Sequence, residues 1–305
     1  MGAKGKTGLM LGEMRRRTLI GRSYWTGLLF IAPWVIGAAL FLVFPVYRSL
    51  LLSVSEIEDL REFRLKFVGI QWYYDAFAAD VKFIPSLLST SVDNLIDLPL
   101  INIFALIVAM LLDQNIRCRG LFRSMFFLPV LLGTGFIMQQ LLGQNVGEEA
   151  VSFARGLLLP PQLQAYLGET AVNVIQSFID RLTTVMWSSG VQILIFLAAL
   201  QDIPPSVYEA ARVDSADGWE QFWLVTLPML APMIQLNLVY TVLSSFSVAD
   251  NAVLEFIQWL AFESGDAHGY EYSCAVSWIY CVFILLAIGL LVLLTRRAVE
   301  NVKDR

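Results

Sequence analysis

Charge is what this chain has least of. Only 15% of its 305 residues are Asp, Glu, Lys or Arg, against roughly 25% in soluble globular proteins. That shortfall disfavours a disordered chain, which stays open through polarity and self-repulsion, and an ordinary water-soluble enzyme. The net charge of −5 offers no electrostatic case for binding nucleic acid. Histidine is almost missing: with His268 alone, a His-rich metal site is not available. Cysteine is scarce and scattered. Cys118 lies between Arg117 and Arg119, and Cys274 and Cys281 lie in an apolar run, so no disulfide framework is indicated. There is no G-x-S-x-G, H-E-x-x-H or C-x-x-C, which removes the usual signs of a hydrolase, a zinc enzyme or a redox centre. Gly5-Lys6-Thr7 imitates the end of a phosphate loop, but the chain starts too late to supply the earlier glycine and strand. It reads instead as a basic tail near anionic lipid.

What the chain has is apolar length. Hydrophobic residues make up 57%, and mean hydropathy is +0.65. The excess is gathered in blocks. About 20 apolar residues cross roughly 30 Å of hydrocarbon as a helix, and only a helix or a closed barrel satisfies its backbone there. Six blocks qualify, at 24–47, 90–112, 121–142, 183–200, 227–248 and 272–295. The expected fold is therefore an all-α membrane protein with six transmembrane helices. The block at 90–112 carries Asp93, Asp97 and Pro99, and the block at 183–200 is short. The first block is too long for a signal-peptide core of about 7–15 residues, so it reads as an uncleaved span. Placing the N-terminus in the cytoplasm puts fourteen Lys and Arg inside and seven outside, which favours both termini inside. The organisation expected is a basic tail at 1–23, a six-span domain at 24–295 and a short tail at 296–305. The outer segments 48–89 and 143–181 are mixed in composition and could carry short surface helices.

The polar stretch 201–228, between the fourth and fifth blocks, departs from its surroundings. Pro204 and Pro205 suit a helix start, where the first N–H groups lack partners anyway. Val207 to Val213 forms about two turns, and Asp214 to Gly218 breaks them. Asp217 and Glu220 have capping-box spacing, with Asp in the Ser/Thr position. Trp219, Phe222 and Trp223 share one face at i, i+3 and i+4. Two short helices, one with small Ala210 and Ala211 and one with aromatics, make a hairpin that can dock in a groove of a soluble partner. The same pattern also suits an amphipathic connector resting on the membrane, with the two tryptophans at its interface.

Glu209-Ala210-Ala211, followed by Leu227-Pro228, resembles the EAA loop of ABC importer permeases. Ser215 stands where that loop has glycine and Val225 where it has isoleucine. Only glycine takes positive φ easily, so Asp214 or Gly218 is expected to absorb the turn. Further stretches are similar to the maltose and glycerol-phosphate permease branch: Phe67-Val68-Gly69-Ile70 with Trp72-Tyr73; Arg119-Gly120-Leu121-Phe122-Arg123 with Phe126-Phe127-Leu128-Pro129; Phe246 to Asp250; and Gly269-Tyr270 with Ser273, Ala275 and Ser277. The outer Gly-Gly-Pro signature is missing.

The resemblance implies the type I importer permease fold and a chain that is not an enzyme. It implies a second permease chain, a pair of ABC ATPase subunits holding ATP and Mg, an extracytoplasmic binding protein that delivers a carbohydrate, and a place in the bacterial plasma membrane. By position, Glu209, Ala210, Ala211, Asp214, Ser215, Gly218, Trp219, Phe222, Leu227 and Pro228 form the ATPase-coupling loop. Glu209 would pair with a basic group, and Leu227-Pro228 would end the hairpin where the fifth span begins. The substrate pathway would draw on Ser188, Gln192, Thr241, Ser244 and Ser245, with Gln235, Asn237 and Tyr240 nearby. Asp97, with Asp93 one turn away, is a further candidate, since an intramembrane carboxylate is functional by default. The alternatives are a permease for a non-sugar solute and a stand-alone secondary transporter. The latter is disfavoured here by the lack of a visible inverted repeat or broken helix. A lipid-modifying enzyme would need a polar cluster that the sequence does not show.

Overall fold

The computed structural model describes residues 29–59, 64–114, 120, 168–248, 251–265 and 268–303. Its elements follow in chain order. Helix α1 (Leu29–Leu52) leads to a hairpin of β1 (Ser55–Asp59) and β2 (Arg64–Phe67), and then to α2 (Gln71–Ala78) and α3 (Phe83–Asp113). Next come α4 (Glu169–Ser188), α5 (Gly190–Asp202), α6 (Pro205–Val213) and α7 (Gly218–Phe246). The last two are α8 (Ala252–Phe262) and α9 (Gly269–Lys303). The expected span at 121–142 lies outside the described residues.

Among the described residues, α1, α3, α7 and α9 are long and apolar enough to cross a membrane, and α4 with α5 makes a fifth if the bent pair is one span. That pair corrects the expectation of a simple short helix at 183–200. It bends by 53° at Ser189, so a broken helix is present after all. Ser189 is fully buried there, and its Oγ donates to the Met186 carbonyl at 3.1 Å.

Both α1 and α7 contain a π-turn, at Ala39–Val43 and Phe222–Thr226. The cause is the same. Pro45 and Pro228 would each drive a ring into the carbonyl four residues earlier, at Phe41 and Leu224, and those residues lie inside the two turns. Widening the helix there accommodates the ring without ending it. The chain therefore corrects a second expectation: Leu227-Pro228 does not close the hairpin at a boundary. The helix begun at Gly218 continues through it to Phe246.

The all-α expectation is corrected at the β1–β2 hairpin, where Ser55 pairs with Phe67 and Ile57 with Leu65 in antiparallel register. A two-stranded hairpin is marginal alone. Here Glu271, 1% exposed at the start of α9, accepts from the Ile57 amide at 2.9 Å. Trp72 Nε1 donates to the Ser55 carbonyl at 3.3 Å.

Two apolar cores hold the bundle. One joins Ala105, Val108, Ala109 and Leu112 of α3 to Ile193, Phe196 and Leu197 of α5 and to Leu230 of α7. It lies toward the α6 end. The other gathers Phe83, Val242, Phe246, Val253, Phe256 and Val276 at the opposite end. There Asn251 caps α8 by accepting from the Val253 amide, and it donates to Tyr280 Oη at 2.7 Å. Gly269 explains itself: a Cβ there would sit 2.4 Å from the Leu260 carbonyl oxygen, so only glycine lets α9 start against the end of α8.

Candidate functional site

The first candidate site is the hairpin that joins α5 to α7. Pro205 opens α6 at its first turn. Its end is a Schellman motif: the Ala216 amide donates to Ala211 O at 2.9 Å and the Ser215 amide to Arg212 O at 3.0 Å. Ser215 itself takes φ +64°. This corrects the expectation that Asp214 or Gly218 would absorb the turn. Asp214 stays at φ −76°, and Gly218 is an ordinary helical residue. The left-handed geometry is required by the two closing hydrogen bonds, so the residue at that position adopts it whatever its side chain. A serine pays about 1–2 kcal/mol in doing so.

Helix α7 starts as its residues predict. Asp217 Oδ1 accepts from the Glu220 amide at 2.7 Å, and Glu220 Oε2 accepts from the Asp217 amide at 3.1 Å. Tyr208 of α6 and Thr226 of the π-turn share a hydroxyl contact of 3.0 Å, and Gln221 Nε2 donates to Ala216 O at 2.8 Å. The hairpin is thus bonded onto the base of α7 rather than hung from it. A cleft of about 200 Å³ lies beneath, lined by Met110, Asp113, Leu200, Tyr208, Phe222 and Thr226 among others.

The outward surface of this hairpin is acidic and aromatic. Glu209, Ala210, Asp214, Ser215, Gly218 and Glu220 are exposed, and Phe222, Leu227 and Pro228 are half-buried. Trp219 is 68% exposed yet packs against Trp223 at 5.6 Å and Phe222 at 6.5 Å. A packed ring cluster facing outward presents a stiff apolar surface next to carboxylates that a cationic partner can meet.

The second candidate site lies within the bundle. Gln192 and Thr241 are fully buried and joined, Gln192 Nε2 donating to Thr241 Oγ1 at 3.3 Å. Two residues complete the cluster. Asn102 Nδ2 donates to the same hydroxyl at 3.2 Å, and Asn237 Nδ2 donates to the Gln192 carbonyl at 3.2 Å. The node ties α3, α5 and α7 together between the two apolar cores. Asn102 was not among the sequence candidates. Its signal was available: a lone amide inside the most apolar stretch of its helix. Three side-chain oxygens in the node, Asn102 Oδ1, Gln192 Oε1 and Asn237 Oδ1, have no hydrogen-bond partner among the described residues.

The other pathway candidates are not brought into the node's hydrogen bonds by their side chains. Ser244 Oγ donates to the Thr241 carbonyl on its own helix at 3.0 Å. Ser245 and Ser188 are half-buried, and Ser188 sits at the bend. Asp97 is engaged elsewhere. Arg181 of α4 reaches it at 3.4 Å and Asp93 at 3.0 Å, pinning α4 to α3. Among the described residues, no group of three or more His, Cys, Asp or Glu could hold a metal ion.

A bundle of apolar helices of spanning length, one of them broken, with a hairpin bonded to the base of another, marks a multi-pass membrane protein. Residues 76–303 match the family described as "Binding-protein-dependent transport system inner membrane component", and the chain belongs to that family. Its members are transport permeases, not enzymes. Among relatives, the chain is 30% identical to the "Probable ABC transporter permease protein YesP" of Bacillus subtilis (strain 168), covering 79% of this chain and 76% of that one. It is 28% identical to the "Lactose transport system permease protein LacF" of Rhizobium radiobacter, over 73% and 74%. A solved bacterial ABC transporter involved in import of the acidic polysaccharide alginate shares the fold, with a TM-score of 0.67 at 18% identity over 93% of this chain and 99% of that chain.

Proposed function

We propose that this protein is the transmembrane subunit of an ABC importer for a carbohydrate, working with a second permease chain in a bacterial plasma membrane. A pair of ATPase subunits would bind ATP and Mg on the hairpin side, which faces the cytoplasm. An extracytoplasmic binding protein would deliver the solute at the opposite end. Carbohydrate rests on the names of relatives, among them a lactose and an arabinooligosaccharide transport permease.

The observation that carries the reading is the fusion of hairpin and span. The hairpin presents Glu209 and the Trp219 cluster outward, and it is hydrogen-bonded to a helix that runs unbroken from Gly218 to Phe246. Force applied to it by a partner passes directly to Asn237 and Thr241, one member pair of the buried node. In this reading Glu209 meets a basic group of the ATPase, Ala210 and Ala211 allow close approach, and the Ser215 turn fixes the angle between the hairpin's arms. Gln192 and Thr241, with Ser188, Ser244 and Ser245 around them, border the solute's path and change partners as the spans move.

Glu209→Lys reverses the charge on an exposed helix without touching the core. Loss of ATPase co-purification and of uptake, with normal membrane insertion, is the expected outcome. Normal uptake by this variant in the complete importer would overturn the assignment.

A further inference from the structure

We propose that the polar face of α4 lines the water-filled outer mouth of the solute pathway; the inference rests on the orientation given under Proposed function. Successive residues of a helix are offset by about 100°. That places Asn173, Ser177, Asp180 and Thr184 on one side of α4, and all four are exposed. Val174, Phe178, Leu182 and Met186 fall on the other side and are also open, at 65, 63, 48 and 55%. Arg181 and the buried Val185 lie at the border of the apolar stripe, on either side of Val174 in projection, and form the edge by which the helix meets α3.

The two open faces require different surroundings. The apolar stripe suits lipid. The polar one does not: among the described residues, the Asp180 carboxylate is held only by Gln176 Nε2, at 2.8 Å on the same helix, and an ionised carboxylate in hydrocarbon costs several kcal/mol. Depth decides whether it must face that choice. Helix α5 has 13 residues, about 20 Å, too short for a bilayer core of roughly 30 Å. The remaining depth belongs to the last turns of α4, which include Thr184 and approach Asp180. With α5 crossing the bilayer, the 53° bend at Ser189 leaves α4 tilted rather than flat on the surface, and Arg181 ties its middle to Asp93 and Asp97 of the spanning helix α3. A second observation agrees. On that same stretch of α3, Asn94 Nδ2 is enclosed without a hydrogen-bond partner among the described residues, as a water-bonded group would be.

The test is cysteine accessibility in cells carrying the complete importer. Cys118, Cys274 and Cys281 are first replaced by serine, and uptake by this parent is measured. Failure of the native chain, measured beside that parent, to transport with its partners would speak against the importer reading, independently of any labelling pattern. Single variants are then made on the polar face (Asn173→Cys, Ser177→Cys, Thr184→Cys) and on the apolar face (Val174→Cys, Phe178→Cys, Leu182→Cys). Each is treated from outside with a membrane-impermeant thiol reagent, and labelling after denaturation gives the total. Rapid labelling confined to the polar face, with loss of uptake on modification, is the expected result. Equal labelling of both faces would mean that α4 stands free in water. No labelling of either would mean that protein covers the polar face. Both overturn the proposal.

Discussion

Ser215 shows how a single position can carry strain imposed by its neighbours. Its φ of +64° is demanded by the bonds that close α6, and a Cβ makes that conformation unfavourable. Ser215→Gly should therefore stabilise the hairpin by about 1 kcal/mol or less, since glycine also loses more chain entropy on folding. Slower proteolysis between Val213 and Gly218 in the assembled protein would register the gain. Faster cleavage would show that the serine side chain, not the turn, governs that segment. Thr241 is the opposite case, a residue whose neighbours depend on it. Its hydroxyl accepts from two buried amides and donates to the Asn237 carbonyl at 2.8 Å. Thr241→Val keeps the shape and leaves both amides short of a partner, at a cost of about 1–3 kcal/mol. Thr241→Ser keeps the hydroxyl and should cost less. Thermal unfolding of the two purified variants separates these outcomes, and equal melting temperatures would argue against the node as a structural tie.

At the scale of elements, the crossing of α8 and α9 is set by backbone contact. Gly269→Ala pushes a methyl group toward the Leu260 carbonyl and should destabilise by about 1–3 kcal/mol, the usual range for overpacking. Gly289→Ala in the same helix meets nothing within 4 Å, and should be neutral or slightly stabilising through helix propensity. A similar loss in both variants would point to a general intolerance of α9 rather than to the crossing. The π-turns belong to this scale too. Pro228 was visible in the sequence and its clash was predictable, but a prolyl clash can end a helix, kink it or widen it. The contact between Tyr208 and Thr226, made by α6 folding back, favours the widened form. Residue pattern alone could not choose.

At the scale of the whole molecule, the described chain leaves much apolar surface open. In α1, Trp34, Phe30 and Phe41 are 75, 79 and 83% exposed, and the helix's most apolar stretch buries nothing against the rest of the chain. Lipid covers part of such a surface, and on the proposed reading a second permease covers more. Co-expression with the second permease and the ATPase should then raise the melting temperature of this chain in detergent. An unchanged melting temperature, with uptake by the lone chain, would favour a stand-alone transporter instead.

Several features could be read from the residues alone because they depend on near neighbours. Apolar length marks a spanning helix through hydrocarbon thickness, Asp217 and Glu220 mark a helix start across three positions, and Pro205 marks another. The Glu209-Ala210-Ala211 stretch was legible as a short linear motif. What tertiary structure decided depends on groups far apart in sequence. The β1–β2 hairpin held by Glu271, the grip of Arg181 on Asp93 and Asp97, and the meeting of Asn102 and Gln192 with Asn237 and Thr241 all join segments separated by tens of residues. Each of these polar groups, seen in its own segment, is merely a side chain lacking a partner. Burial makes an unpaired polar group costly, so the packing of the bundle, not the local pattern, determined which partner each one found.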